Sequence, residues 1–88
     1  MSFTGLDIGQ VRQFATQLRS KADEIEQIAS VLTSSLGGVQ WVGADRQQFE
    51  GDWQGQYRTA LTQVANGLRD AAQRADNNAT QQEQASNA

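Results

Sequence analysis

Apolar residues recur at helical spacing in two long segments that meet near the middle of the chain. The first stripe consists of Ile8, Val11, Phe14, Leu18, Ile25, Ile28 and Leu32, widened by Ala15, Ala22 and Ala29. The second consists of Phe49, Trp53, Tyr57, Ala60, Leu61, Val64, Leu68, Ala71, Ala72 and Ala75. Steps of three and four residues are typical of amphipathic helices with one buried face. The pattern predicts helices at about 8–36 and 44–78.

The most regular positions of the first stripe repeat every seven residues: Val11, Leu18, Ile25 and Leu32. Such a repeat predicts a coiled-coil seam. Lys21 interrupts the neighbouring apolar positions, and we expect its stem to lie along the seam while its amine reaches water. Asp7 is a suitable N-cap, and Gln10 completes a capping-box pattern. At the other end of this helix, Gly37 is expected at the C′ position.

The connection between the helices is short, glycine-rich and apolar. It reads Gly37-Gly38-Val39-Gln40-Trp41-Val42-Gly43. Glycine permits a sharp turn, and a connection of this length predicts antiparallel neighbouring helices. Trp41 has two interpretations: it plugs the end of the hairpin, or it is an exposed anchor for another protein.

Three glycines, Gly51, Gly55 and Gly67, lie inside the second helix. They indicate either a weakly selected surface or the close approach of another helix. From Asn77 onward the chain is polar, so we expect a flexible tail at about 77–88. The whole chain, 1–88, is expected to form one all-α domain. Because a lone hairpin leaves apolar positions uncovered, we predict that two hairpins pair into a four-helix bundle.

Composition narrows the functional classes. Cysteine, histidine and proline are absent, which removes disulfides, thiolate metal sites and the commonest general base. Acidic pairs such as Asp23 with Glu26, and Glu50 with Asp52, fall on predicted polar faces, where solvated charge is the expected role. We therefore expect no enzymatic activity, no cofactor and no metal.

Charge and hydropathy indicate the kind of partner. The net charge of −3 argues against nucleic acid. No apolar run approaches the roughly 18 residues of a membrane span, so no integral membrane segment is expected. Residues 1–5 lack a basic region followed by an apolar core, so we expect no cleavable signal peptide. On general export routes the chain would stay in the cytosol, and only a specialised route would change this.

The chain length, the two amphipathic helices and the central Trp41-Val42-Gly43 resemble the WXG100 family of ESAT-6-like proteins. The resemblance covers essentially the whole chain. The tripeptide alone is common by chance, and its position between two proline-free halves makes the match specific. The resemblance implies a helical hairpin that pairs in a four-helix bundle. It also implies secretion without a cleaved signal peptide by the type VII (ESX) system, with the secretion ATPase as a further partner.

One family feature is missing. Many members carry a Tyr-x-x-x-Asp/Glu export signal after the second helix, which is read together with the W-x-G turn of the partner subunit. Here the only tyrosine, Tyr57, lies inside the second helix, and Glu83 is preceded four residues earlier by Ala79. The resemblance thus implies a recognition motif of Trp41, Gly43 and Glu83. It favours a heterodimer with a second WXG100-type protein that supplies the tyrosine, while a homodimer remains possible.

The expected function is that of a non-enzymatic, secreted pairing subunit. The residues expected to pack within the hairpin or dimer are Val11, Phe14, Leu18, Ile25, Ile28, Leu32, Phe49, Trp53, Tyr57, Leu61, Val64 and Leu68. Two alternatives stay open. The chain is a cytosolic targeting adaptor or chaperone for a larger type VII toxin, or it is a purely structural helical bundle.

Overall fold

Two antiparallel helical arms form the structure, and a short connection joins them. The computed structural model describes residues 7–87, and all regular structure in this range is helical. Helix α1 spans Ile8–Gly38, α2 spans Ala44–Asp52 and α3 spans Arg58–Asn87, with a π-helical turn at Trp53–Tyr57. We call α1 the first arm and residues 44–87 the second arm. The predicted helical hairpin is confirmed.

The hairpin is long and thin, with extents of 66 × 18 × 16 Å. We call the end with the connecting residues 39–43 the closed end, and the opposite end the open end. None of the helices within residues 7–87 is long and apolar enough to cross a bilayer. Residues 1–6 and Ala88 lie outside the described residues. The prediction that residues 1–5 hold no signal peptide concerns this undescribed part of the chain.

The first arm begins as its sequence predicts and ends slightly later. Asp7 is the N-cap, and its Oδ1 accepts a hydrogen bond of 3.0 Å from the backbone N–H of Gln10. The helix continues through Gly38 and is capped by Val39 in an extended conformation. The expectation of Gly37 at C′ is therefore wrong, because Gly37 remains helical and its φ is not positive.

The second arm extends further than its polar composition suggests. A helix end was expected near 78, yet α3 continues to Asn87, so residues 77–87 are helical. Contacts with the first arm explain the extension. Ala79 is completely buried, and Arg12 donates hydrogen bonds to Thr80 Oγ1 at 3.2 Å and Glu83 Oε1 at 3.3 Å.

Six alanines form the seam between the arms: Ala15, Ala22 and Ala29 from the first, and Ala65, Ala72 and Ala79 from the second. We call them the alanine row. Five are fully buried and Ala29 is nearly so. Side chains this small allow two helices to pack closely. The sequence pattern predicts that the heptad repeat of Val11, Leu18, Ile25 and Leu32 forms the seam between the arms. That prediction is wrong, because alanines fill the seam. The repeat runs beside the alanine row.

Charged side chains on one flank of the alanine row join the two arms. Arg69 Nη2 lies 2.8 Å from Asp23 Oδ1 and 2.7 Å from Glu26 Oε1. Arg19 Nη1 lies 2.8 Å from Asp76 Oδ2, and Arg12 bridges Asp76 and Glu83 nearer the open end. We call this flank the ion-pair face. Its pairs connect the arms from Arg12 to Glu26 of the first arm, in the half nearer the open end.

Candidate interaction surface

Large apolar side chains lie on the flank of the alanine row opposite the ion-pair face. At 3.6 residues per turn, positions three and four residues after a given residue fall on opposite sides of it. Most charged residues of the ion-pair face follow an alanine by four, as Arg19 follows Ala15, whereas Leu18 follows it by three. Because the arms are antiparallel, equivalent flanks of both arms face the same side of the hairpin.

This surface, which we call the apolar face, contains ten of the twelve expected packing residues: Val11, Phe14, Leu18, Ile25, Ile28, Leu32, Tyr57, Leu61, Val64 and Leu68. Leu18, Ile25, Leu61 and Leu68 are half-buried against the seam. Phe14, Ile28 and Val64 are 54%, 53% and 51% exposed. Soluble monomers seldom leave an apolar stripe of this length uncovered. The arrangement is suited to packing against another helical protein.

The other two expected packing residues, Phe49 and Trp53, lie at the closed end. The rings of Trp41 and Phe49 have centroids 5.9 Å apart, and those of Phe49 and Trp53 are 6.4 Å apart. Trp53 is buried, and its Nε1–H donates a hydrogen bond of 2.9 Å to Thr33 Oγ1. Three aromatic rings thus form a continuous row that is tied to the first arm, with Trp41 tilted by 34° to Phe49 and Phe49 stacked on Trp53. We call this row the aromatic stack.

A π-helical turn orients this stack. Because the turn at Trp53–Tyr57 takes up one residue more than an α-helical turn, the residues before it are rotated by about 100° relative to a continuous helix. The rotation brings Trp53 against the first arm. Sequence periodicity had placed Phe49, Trp53 and Tyr57 on one stripe, but steps of four residues do not reveal where a π turn is inserted.

An apolar cavity of about 210 Å³ lies beside the stack, lined by Leu32, Ser35, Leu36, Val39, Trp41, Phe49 and Trp53. Leu32 also belongs to the apolar face, so the two surfaces are continuous. Trp41 is 37% exposed. It therefore combines the two interpretations left open by the sequence, because one side of its ring packs on Phe49 while part of it remains accessible.

The backbone of the connection is held by Arg46, a residue whose position in sequence gave no sign of this role. Arg46 Nη1 donates hydrogen bonds to the backbone oxygens of Trp41 at 3.0 Å and Val39 at 3.4 Å. Its Nε donates to Glu50 Oε2 at 2.9 Å. Gly43 precedes α2 with φ 113° and ψ −173°, a conformation that residues with a Cβ rarely adopt. Arg46 and Gly43 together define the path of the W-x-G segment.

The third residue of the expected recognition motif, Glu83, is at the opposite end of the hairpin. It pairs with Arg12 near the start of α1. From Arg12 to the end of α1 is about 40 Å at 1.5 Å per residue. Trp41 and Gly43 therefore cannot form one site with Glu83 of the same chain.

The carboxylates considered for catalysis are paired with basic or amide groups. Asp23 and Glu26 contact Arg69, and hydrogen bonds from Arg69 lower the pKa of Glu26 below its ordinary value of 4.5. The same hydrogen bonds raise the pKa of the Arg69 guanidinium. Asp52 accepts hydrogen bonds from Gln48. Within residues 7–87 no cluster of three or more acidic side chains is arranged to hold a metal ion.

Gly51, Gly55 and Gly67 are exposed. Apart from the adjacent residues and the local helical backbone, no atom lies within 4 Å of a Cβ placed on any of them. Their small size is therefore not required by contacts within the hairpin.

Comparison with models of protein families, with curated proteins and with solved structures gave no match to this chain. The features of the chain that bear on its function are the apolar face, the closed end and the motif at Trp41.

Proposed function

We propose that the chain is a non-enzymatic pairing subunit that is secreted by a type VII system. Its apolar face packs against the equivalent face of a second helical hairpin, which we call the mate, to complete a four-helix bundle. The observation that carries the proposal is the apolar face itself. The seam of the hairpin is already filled by alanines, so the large apolar side chains beside it are available to a second protein.

The segregation of charge supports pairing through this particular face. Three arginines pair with acidic side chains on the ion-pair face, on the side of the seam away from the apolar face: Arg12, Arg19 and Arg69. Those groups remain in water when the apolar face is covered, so pairing does not require their desolvation. Apolar burial then provides the main favourable free energy of association.

The resemblance at Trp41-Val42-Gly43 links this pairing to export. Trp41 and Gly43 are at the closed end, whereas the C-terminal end of α3 is at the open end. In an antiparallel pair of hairpins, the closed end of one chain lies beside the open end of its mate. A tyrosine-bearing tail on the mate would then complete the recognition surface for the secretion ATPase, which favours a heterodimer.

Pairing is tested by charge substitutions on and off the apolar face. Ile28→Asp should abolish co-purification of the mate with the tagged chain, because it places a carboxylate within the buried contact. Gln27→Asp introduces the same group at the neighbouring exposed position and should leave co-purification intact. Circular dichroism of both variants controls for folding. Equal capture of the mate by both variants would rule out pairing through this face.

Export is tested at the closed end, in a host that has a type VII system and the mate. Trp41→Ala should reduce secretion strongly while changing the melting temperature by only a few degrees, since the ring is partly exposed. Val42→Ala is the matched control, because Val42 is 91% exposed. If Trp41→Ala unfolds the chain, the ring is a plug and not a recognition element. Retention of the chain while the mate is exported would indicate the adaptor role instead.

A further inference from the structure

One charged side chain, Lys21, lies at the centre of the apolar face. It follows Phe14 and precedes Ile28 by seven residues, so the three residues share one row on α1. Lys21 is also the only lysine in the chain. The other residues of the apolar face, and Ala71 beside Leu68, are uncharged.

In the isolated hairpin the ammonium group of Lys21 is accessible to water. Its Nζ lies 3.2 Å from Glu24 Oε2, and both side chains are 57% exposed. Glu24 is three residues further along α1, at the outer edge of the face. A mate that covers the row of Phe14, Lys21 and Ile28 removes water from Lys21, and burial of a charge is unfavourable unless an opposite charge faces it.

A second copy of this chain presents no carboxylate from within its apolar face, since its Glu24 lies at the outer edge and pairs with its own Lys21. In the antiparallel pairing proposed above, the first arm lies against the first arm of the mate. Lys21 is close to the middle of Ile8–Gly38, so in a symmetric pair the two Lys21 side chains approach each other at the two-fold axis. Like charges that meet in an interface oppose association.

We infer that Lys21 selects the mate, favouring a helical hairpin whose first helix presents a carboxylate to it and disfavouring a second copy of this chain. The inference rests on the proposed pairing through the apolar face. It assigns to Lys21 the choice of partner, while the surrounding apolar residues provide the affinity.

The first test measures self-association by sedimentation equilibrium. Lys21→Leu removes the charge and should lower the dissociation constant of the homodimer by about tenfold or more relative to the unsubstituted chain. Arg74→Leu is the matched control, since it also replaces a cation by leucine but on the outer surface of α3, and it should have little effect. Equal tightening by both variants, or by neither, overturns the inference.

The second test supplies the carboxylate on a copy of the chain that carries Lys21→Glu. This variant alone should associate no more tightly than the unsubstituted chain, because it replaces one like-charge contact by another. An equimolar mixture of the two should form a heterodimer at least about tenfold tighter than either homodimer. Native mass spectrometry distinguishes the three species. A mixture that shows no preference for the heterodimer overturns the inference.

A third variant separates this inference from the proposed function. Ile28→Asp added to Lys21→Leu should dissociate the homodimer if the apolar face is the contact. If that dimer persists, pairing through the apolar face is wrong. If it dissociates but Lys21→Leu was no tighter than the unsubstituted chain, the pairing stands and only the role of Lys21 is refuted.

Discussion

At the scale of single residues, Gly43 is the position where backbone conformation most restricts the choice of side chain. It is the one described residue with positive φ, at 113°, and its carbonyl accepts the hydrogen bond from Gln47 N–H at 3.1 Å that opens α2. No atom of the chain crowds a Cβ at this position. The requirement for glycine is therefore one of backbone torsion and not of space.

Gly43→Ala should destabilise the hairpin by about 1 kcal/mol, because alanine is strained at this torsion. Gly67→Ala should have the opposite effect and stabilise it by about 0.5–1 kcal/mol, since Gly67 is an exposed helical position with open space around it. Urea denaturation followed by circular dichroism measures both changes. Two changes of the same sign would contradict the torsional explanation for Gly43.

Some residue roles could be predicted from sequence because their signals are local. Asp7 and Gln10 form a capping pattern within one helical turn, and the structure confirms their hydrogen bond. Arg46 could not be assigned to the connection, since its bonds to Val39 and Trp41 depend on how the chain turns. The role of Trp41 could not be predicted for the same reason. Its packing on Phe49 depends on the rotation that the π-helical turn imposes on the residues before it.

At the scale of the helices, the alanine row decides how the arms pack. Both arms repeat alanine every seven residues, and the residue four positions later is polar: Arg19, Glu26, Thr33, Arg69, Asp76 and Glu83. This double pattern was present in the sequence and indicates a small-residue seam with an ion-paired flank. The heptad repeat of large side chains competes with this pattern, because large apolar residues usually fill the contact between two helices. The hydrophobic periodicity itself does not distinguish a contact within the hairpin from a contact with a second protein.

Ala72→Leu should destabilise the hairpin by about 1–3 kcal/mol, because Ala72 is completely buried in the seam and a larger side chain must push the arms apart. The matched control is Ala71→Leu at the adjacent exposed position, which should change the stability by less than about 0.5 kcal/mol. Both are compared by denaturation at a concentration where the chain is monomeric. A similar loss in the two variants would show that the seam tolerates larger side chains.

At the scale of the whole molecule, the hairpin is an extended object. Its radius of gyration is 19.6 Å, whereas a compact chain of this length would have about 12 Å. Each arm therefore buries little against the other, and ion pairs on one flank supplement a seam made only of small side chains. The two helical segments and their antiparallel packing could be predicted from sequence. The extension of α3 to Asn87 could not, because it depends on Arg12 reaching Thr80 and Glu83 from the other arm.

Stability should depend on pH through Glu26. Hydrogen bonds from Arg69 lower the pKa of Glu26 in the folded chain below its ordinary value of 4.5. The Glu26 carboxylate therefore stabilises the fold at pH values above 4.5. This contribution is lost as the pH falls through the lowered pKa. Glu26→Gln should therefore reduce stability at pH 7 and have progressively less effect below about pH 4. Denaturation curves across this pH range measure the difference.

Arg69→Gln provides the control for this pH dependence. It removes the donor, so in that background Glu26→Gln should no longer alter how stability varies with pH. If Glu26→Gln still alters the pH dependence without Arg69, a group other than Arg69 lowers the pKa of Glu26.

The aromatic stack at the closed end also determines what spectroscopy can observe. Both tryptophans and the only tyrosine lie between residues 41 and 57, so intrinsic fluorescence reports on that end alone. Circular dichroism, in contrast, averages over both arms. If the arms separate first at the open end, ellipticity will decrease before the emission spectrum shifts, and the delay between the two signals measures how far the hairpin unzips before its last turns unfold.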